Sequence, residues 1–511
     1  MSKQSSDQVF RLIKSLTTAE KRYFKIFAGR HTIGDKNEYV ILFDAIDKQQ
    51  TYNEARLTGL LSNSTFAHNP AIAKNRLYET ILKSLHAFHA DSSVEVELQR
   101  LLHYTEILFK KSLYDESRKI LHRARKLAFR YEKHFSMLEI QKWEKRLIER
   151  DSYASNNLDD INGMLQQDED MIGRLKNYVD FWNIKSRLFL LLNKKGKVRD
   201  NDELNNFKTI IDNTLLASED EALSYESRYL YYQIYSAYFF GIGDYTNSYI
   251  YISKHLELIE ENAELFDEEP NKYFAVLSNM IYVCTQLRKL NEIPALLQKL
   301  KKIPENYVRK MNEDMEIKLF SSSFSAELSL YIQTGEFDMA LSLVDDIDSG
   351  LNRYENKVSK IRVAYFCFNL AIVYFALGNY SGALKWINRL LNDSDIDSSQ
   401  DIHCMGRILN LIIHLEMGNS DLIPYTLRST QRYLLKRKRI YRFESVFLNF
   451  INRLSKATEP GDLKHCYQSL RPDLQMLAKD PFEKSVFEYF DFITWLESKI
   501  KNQSFESLIK E

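Results

Sequence analysis

Breakers are scarce in this chain: 15 glycines and 8 prolines among 511 residues, under half the share of average usage. Sheet-rich folds turn often and need such residues, so the shortage argues against a many-turned β architecture and for long helices. Cysteine is also sparse. Cys284, Cys367, Cys404 and Cys466 are scattered with no CxxC spacing, which excludes a dense disulfide framework; each reads as a small core residue in a reducing compartment. Neither sign of charge dominates, Lys+Arg and Asp+Glu standing at 70 each, so no global field draws the chain to nucleic acid or membrane. The opening MSKQSSDQVFRLIKSL lacks an apolar core of signal-peptide length, and no run is long enough to span a bilayer. A cytoplasmic location and no membrane partner are expected.

The usual chemical signatures are missing as well. No GxxxxGK, GxSxG, HExxH or DxDxDG sequence occurs. His86 and His89 lie three apart near His103, without a carboxylate or cysteine at supporting spacing, and read as surface histidines. His403 and Cys404 are adjacent, so on a helix their side chains diverge. The acidic pairs Asp345-Asp346 and Asp168-Glu169 fall on polar helix faces. No catalytic, cofactor-binding or metal-ligating residue emerges, and a non-enzyme is expected.

What is present is a repeated helical pattern. The stretch from Ala364 to Asp395, AYFCFNLAIVYFALGNYSGALKWINRLLNDSD, reads as two helices joined by a turn at Gly378-Asn379-Tyr380. Leu370, Ala371 and Tyr374 share one face of the first helix, and Ala383, Leu384, Ile387 and Leu391 recur at helical spacing on the second. Tyr374, Gly378, Tyr380 and Ala383 at these offsets resemble the tetratricopeptide repeat, although Asp395 stands where the repeat usually closes with proline. Aligning turns on Gly378 yields anchors at Ser112, Asn156, Arg199, Gly243, Arg288, Gly335, Gly378, Gly418 and Gly461, 40 to 47 residues apart. An all-α superhelix follows as the expectation: a tetratricopeptide-like solenoid of helix hairpins with a period of about 44, spanning residues 91–511. Asn193–Asp202 (NKKGKVRDND) is the most polar interruption and reads as an exposed loop or hinge, and Ser394–Asp401 as another short loop. A final helix is expected over Glu483–Lys499, with the tail KNQSFESLIKE as a polar outer cap.

Residues 1–90 look different: a helical N-terminal cap domain of five helices. Helices are expected over Asp7–Leu16, from the Thr17/Glu20 capping box through Phe27, and over Tyr39–Lys48. Two more run from the Thr51/Glu54 capping box over Ala55–Leu61 and, after a Ser62–Asn69 loop, from Pro70 to about His89. The last two resemble a helix-turn-helix, with Lys74, Arg76 and Lys83 on the second helix.

Two further surfaces stand out. By resemblance to tetratricopeptide arrays, Tyr365, Phe368, Ile372 and Phe375, with Gln233, Ala237 and Phe240 of an earlier unit, line an inner groove suited to a peptide or helix of a partner protein. In Arg428–Arg442, Arg428, Arg432, Lys436 and Arg439 form one basic helical stripe opposite Leu427, Leu434, Tyr441 and Leu448. The favoured expectation is a non-catalytic protein-interaction scaffold. The alternative is a nucleic-acid-binding transcriptional regulator acting through the N-terminal helices or the basic stripe.

Overall fold

The computed structural model describes residues 7–29, 37–60, 69–90, 93–154, 156–266, 268–307, 311–355, 357–392, 400–457 and 460–510. These are all-helical, with no strand among them. The chain divides into two compact units, Met1–Leu127 and Ala128–Glu511, a division that falls well after the boundary expected near residue 90.

The first unit opens with α1 (Gln8–Ser15), α2 (Thr18–Gly29), α3 (Glu38–Asp47), α4 (Glu54–Leu60) and α5 (Pro70–Phe88). Their shared core includes Val9, Ile13, Leu42, Leu77 and Ile81, with Phe24 and Phe43 stacked at 4.5 Å. The capping box that opens α2 is formed: the Thr17 N–H donates to Glu20 Oε2 at 2.7 Å, and the Glu20 N–H to Thr17 Oγ1 at 3.2 Å. Pro70 starts α5, and Asn69 caps it by accepting the Ile72 N–H. The Thr51/Glu54 box is not used. Asn53 caps α4 instead, accepting the Arg56 N–H at 3.0 Å, because the helix begins at Glu54 itself. The loop expected over Ser62–Asn69 lies almost wholly outside the described residues. Two 17-residue helices follow, α6 (Val94–Lys110) and α7 (Tyr114–Arg130), the latter running across the division.

The second unit continues with α8 (His134–Arg150), the 38-residue α9 (Leu158–Lys195), α10 (Asn201–Ile211), α11 (Tyr225–Gly241) and α12 (Tyr245–Glu261). Next come α13 (Pro270–Gln286), α14 (Ile293–Lys301), α15 (Glu313–Thr334), α16 (Phe337–Ser342), α17 (Val344–Arg353), α18 (Lys360–Ala376) and α19 (Tyr380–Leu391). The chain closes with α20 (Gln400–Glu416), α21 (Ile423–Lys436), α22 (Arg442–Leu454), α23 (Pro460–Leu477), α24 (Phe492–Lys501) and α25 (Phe505–Lys510). Sequential helices pack on one another, most extensively α11 with α12 and α18 with α19.

One turn design recurs. At Gly378, φ is +71°, the Gly378 N–H donates to Phe375 O at 3.0 Å and the Asn379 N–H to Tyr374 O at 2.9 Å. This satisfies two carbonyls that the end of α18 leaves open. The same pair of bonds, around a left-handed residue, closes the helices before Ser112, Gly243, Arg288, Gly335 and Gly418. Three anchors fall elsewhere. Gly461 lies inside α23, Arg199 lies beyond the turn at Gly196, and the turn near Asn156 is made by Ser152 and Tyr153. Glu132 and Lys438 make the same turn without glycine. They accept a left-handed cost of roughly 1–2 kcal/mol, and nothing in their residue type marks them.

Lys438 overturns the continuous basic helix: α21 ends at Lys436 and the next helix starts at Arg442. The expected Glu483–Lys499 helix is also interrupted. A short 3₁₀ turn covers Lys484–Glu488, and α24 starts afresh at Asp491, which caps it by accepting the Thr494 N–H. In the tail, Lys501–Ser504, Ser507 and Lys510 are exposed, while Phe505 is buried, stacked 5.4 Å from Phe490. The loop expected over Ser394–Asp401 lies mostly outside the described residues.

Candidate functional site

The stretch expected to be an exposed hinge is where the largest correction falls. α9 runs through Lys195, Gly196 turns the chain with φ +75°, and Val198 donates its N–H to Gly241 O at 2.9 Å. This carries Lys197 and Arg199 inward, where side chains from far down the chain receive them. Polar character marked the stretch, but burial depends on partners that lie 245 and 291 residues away.

Lys197 meets Glu488, and its Nζ also lies 3.1 Å from the Tyr282 hydroxyl and 2.5 Å from that of Tyr245. The ammonium sits 5.0 Å from the Phe240 ring centre, within cation–π range. Tyr245 in turn donates to Glu488 Oε1 at 2.6 Å. Burial works against the charged lysine, but Glu488 and the phenolic oxygens outweigh it, so the Lys197 pKa stands above the ordinary lysine value. Burial likewise keeps the Tyr245 and Tyr282 phenols protonated well above their usual range.

Arg199 makes a second, fork-shaped contact. Its Nη1 donates to Glu444 Oε1 at 2.7 Å and its Nη2 to Glu483 Oε2 at 2.6 Å, while the guanidinium lies 4.1 Å from the Tyr441 ring centre. Glu483 also accepts the N–H groups of Arg442 and Phe443 at 2.9 and 3.2 Å. That places its charge at the positive end of α22 and satisfies donors no helix carbonyl can reach. Arg439 completes the cluster, donating to Lys195 O at 2.9 Å and pairing with Asp401 at 3.4 Å.

Between these groups lies a cavity of about 20 Å³, lined by Arg199, Asp401, Cys404, Glu444 and Tyr489 among others. It has room for one water molecule. Burial pushes the Cys404 thiol up to about 12, leaving it protonated and a poor nucleophile. The assembled geometry is a lock: three cations set against four carboxylates, tying the 196–203 segment to α22 and to the C-terminal segment 482–510.

That C-terminal segment also meets the expected groove residues. Phe368 packs on Tyr489 at 6.2 Å, and Phe375 on Phe490 and Phe505 at 5.5 and 5.6 Å. Phe240 reaches the same segment through Tyr282 and Lys197. Phe368, Ile372 and Phe375 are buried; Tyr365, Gln233, Ala237 and Phe240 are half-buried. The lock residues of this segment, Glu483 and Glu488, were missed from sequence. The density of aromatics around the acids of FEKSVFEYFDF was the signal available.

The basic stripe is not brought together as one surface. Arg428, Arg432 and Lys436 are exposed on α21, whereas Arg439 is only 7% exposed, because the Lys438 turn swings it toward Asp401. In the first unit, Lys74 is likewise committed: its Nζ lies 2.8 Å from Glu54 and 3.2 Å from the Tyr52 hydroxyl, while Arg76 and Lys83 are exposed. His89 pairs with Glu20 at 2.8 Å. Among the described residues, no group of three or more His, Cys, Asp or Glu side chains is placed to hold a metal ion, and no helix is long and apolar enough to cross a membrane. Comparison of the chain with protein families, with curated proteins and with solved structures returns no match.

Proposed function

We propose that this chain is a non-catalytic protein-interaction scaffold, a tetratricopeptide-like superhelix whose first-helix faces bind a peptide or helix of a partner protein. The observation that carries this reading is that those faces already hold a peptide-like segment. Phe368 and Phe375 of α18, with Phe240 of α11 and Tyr282 of α13, grip the aromatic and acidic C-terminal segment through ring contacts and the Lys197–Glu488 pair. Alternating aromatic pockets and one buried charge are the means by which grooves select extended or helical peptides. The recognised partner would therefore carry an acidic residue among aromatics, as FEKSVFEYFDF does.

The test uses a fluorescently labelled peptide of residues 482–495 and the full-length chain. Glu488→Lys sets two cations against each other and loosens the resident segment. Saturable binding to this variant, with far weaker binding to the unaltered chain, supports the reading. Absence of binding to both, with the helical circular dichroism of the variant intact, would overturn it.

A further inference from the structure

The chain as a whole is neutral, but its two units are not. The first, Met1–Leu127, carries 21 Lys and Arg against 14 Asp and Glu, a net charge of +7. The second carries 49 against 56, a net charge of −7. Asymmetry of this size within one chain points to a polyanion as the partner of its basic part. Within the first unit the excess gathers on α7. The acids of that helix, Asp115 and Glu116, are confined to its first turn, where they complement the positive helix end. From Ser117 to Arg130 there is no acid at all. Ser117, Leu121 and Ala124 are buried, and the Ser117 hydroxyl donates to Thr105 O of α6 at 3.1 Å. At about 3.6 residues per turn the opposite side belongs to Lys119, Arg123 and Lys126, all exposed, with the exposed His122 beside them. Lys119 and Lys126 form no ion pair among the described residues. Arg123 meets Glu97 of α6 at 2.5 Å with its side chain still 63% exposed, a surface pair that a stronger anion can replace.

We propose that this row binds the phosphate backbone of double-helical nucleic acid without reading its sequence, a function separate from peptide binding by the second unit. From Lys119 to Lys126 the row is about 10 Å long at 1.5 Å per residue. A duplex presents one negative charge per about 1.7 Å of its axis, so cations at this spacing always find phosphates within reach. No Phe, Tyr or Trp lies within the row, which leaves no platform for the stacked bases on which single-strand binding relies. A lipid surface would need an apolar face to insert, and the apolar residues of α7, Leu121 and Ala124, are turned inward. The other basic segments are less suited. On α5 the exposed Glu79 stands between Arg76 and Lys83, and Lys74 is committed to Glu54. The exposed cations of α21 belong to the acidic unit.

The test is fluorescence anisotropy of a labelled random DNA duplex titrated with the full-length chain at 50 and 200 mM salt. Three phosphate contacts predict affinity about 40-fold weaker at the higher salt. Lys119→Glu with Lys126→Glu should weaken binding at the lower salt on the order of 10-fold and reduce the salt slope by about 2. Helical circular dichroism should be unchanged, since both side chains are exposed. Arg428→Glu with Arg432→Glu on α21 should leave affinity and slope as they were. No binding at the lower salt would overturn the proposal, as would binding indifferent to the α7 reversal or weakened equally by the α21 reversal. Capture by phosphatidylserine vesicles but not by the duplex would also overturn it, assigning the row to lipid. So would displacement of the duplex by polyglutamate as readily as by unlabelled duplex, which would assign it to an acidic protein.

Discussion

Leu158–Lys195 and the few residues that follow it treat polarity in opposite ways. α9 leaves Leu158, Leu165, Ile172 and Trp182 in solvent, while Lys197 and Arg199, a few residues on in the most polar stretch of the chain, keep only 12% and 9% of their side chains exposed. Burial is a property of partners, not of residue type alone. An apolar side chain is left outside when no neighbouring element covers its face. A charged one is tolerated inside when several opposite charges and hydrogen bonds await it.

The contrast is broken most severely at Arg199. Arg199→Met leaves Glu444 and Glu483 buried with one donor set removed, and should destabilise the second unit by about 3–5 kcal/mol, read as a lowered denaturant midpoint at an unchanged slope. The matching replacement on the exposed side, Ile172→Asp, should change the stability of the single chain by no more than about 0.5 kcal/mol. Comparable losses at the two positions would show that the lock is not what holds the C-terminal segment.

Gly196 sharpens the comparison, because it is the point where the chain leaves α9 and turns Lys197 and Arg199 inward. Its φ of +75° and ψ of −147° lie where side chains are strained, and a Cβ there would stand 2.5 Å from Asp401 Oδ2. Gly196→Ala should therefore cost about 1–3 kcal/mol and loosen the Arg439–Asp401 pair. Thermal unfolding measures the first effect. Hydrogen exchange across α22 would register the second, and unchanged protection there would argue that the turn is not coupled to the lock.

A pH-dependent effect is expected at His255, a buried group without a carboxylate partner. It packs against Tyr229 at 4.2 Å, and burial, aided by the Lys272 ammonium, lowers its pKa to about 3. A base whose folded pKa is depressed stabilises the fold above its unfolded pKa of about 6.5 and loses that contribution as pH falls toward 3. The loss should be about 1.4 kcal/mol per pH unit below 6.5. His255→Phe should remove it, so that the unfolding temperature of the variant falls less between pH 7 and 5.5 than that of the parent. Parallel pH profiles would show that His255 is not the titrating group.

How much of this was legible depended on the range of the interaction concerned. The turn at Gly378, the capping box of Thr17 and Glu20 and the start of α5 at Pro70 involve residues within five positions of one another, so residue type and spacing were enough. The turns at Glu132 and Lys438 are equally local, but they carry no glycine and fall off the 40 to 47 residue spacing that marked Ser112 and Arg288. Missing the second hid the break in the Arg428–Arg442 stripe and the inward course of Arg439. The candidate site was least legible. Phe368 and Phe375 could be assigned to a face of α18, but not the Tyr489, Phe490 and Phe505 rings that cover it.

The sequence by itself determined the all-helical character, the helix starts within residues 1–90 and six of the left-handed turns, because helix periodicity, capping and backbone sterics act over one or two turns of chain. Only the tertiary structure decided that Lys197 and Arg199 of a polar loop turn inward, that the C-terminal segment lies along the hairpin faces, and that Leu158, Leu165 and Ile172 of α9 stay exposed. Those outcomes rest on pairings such as Arg199 with Glu444 and Lys197 with Glu488, 245 and 291 residues apart. At such separations no local spacing rule constrains which charge meets which, and the low dielectric of the interior makes the right pairing decisive.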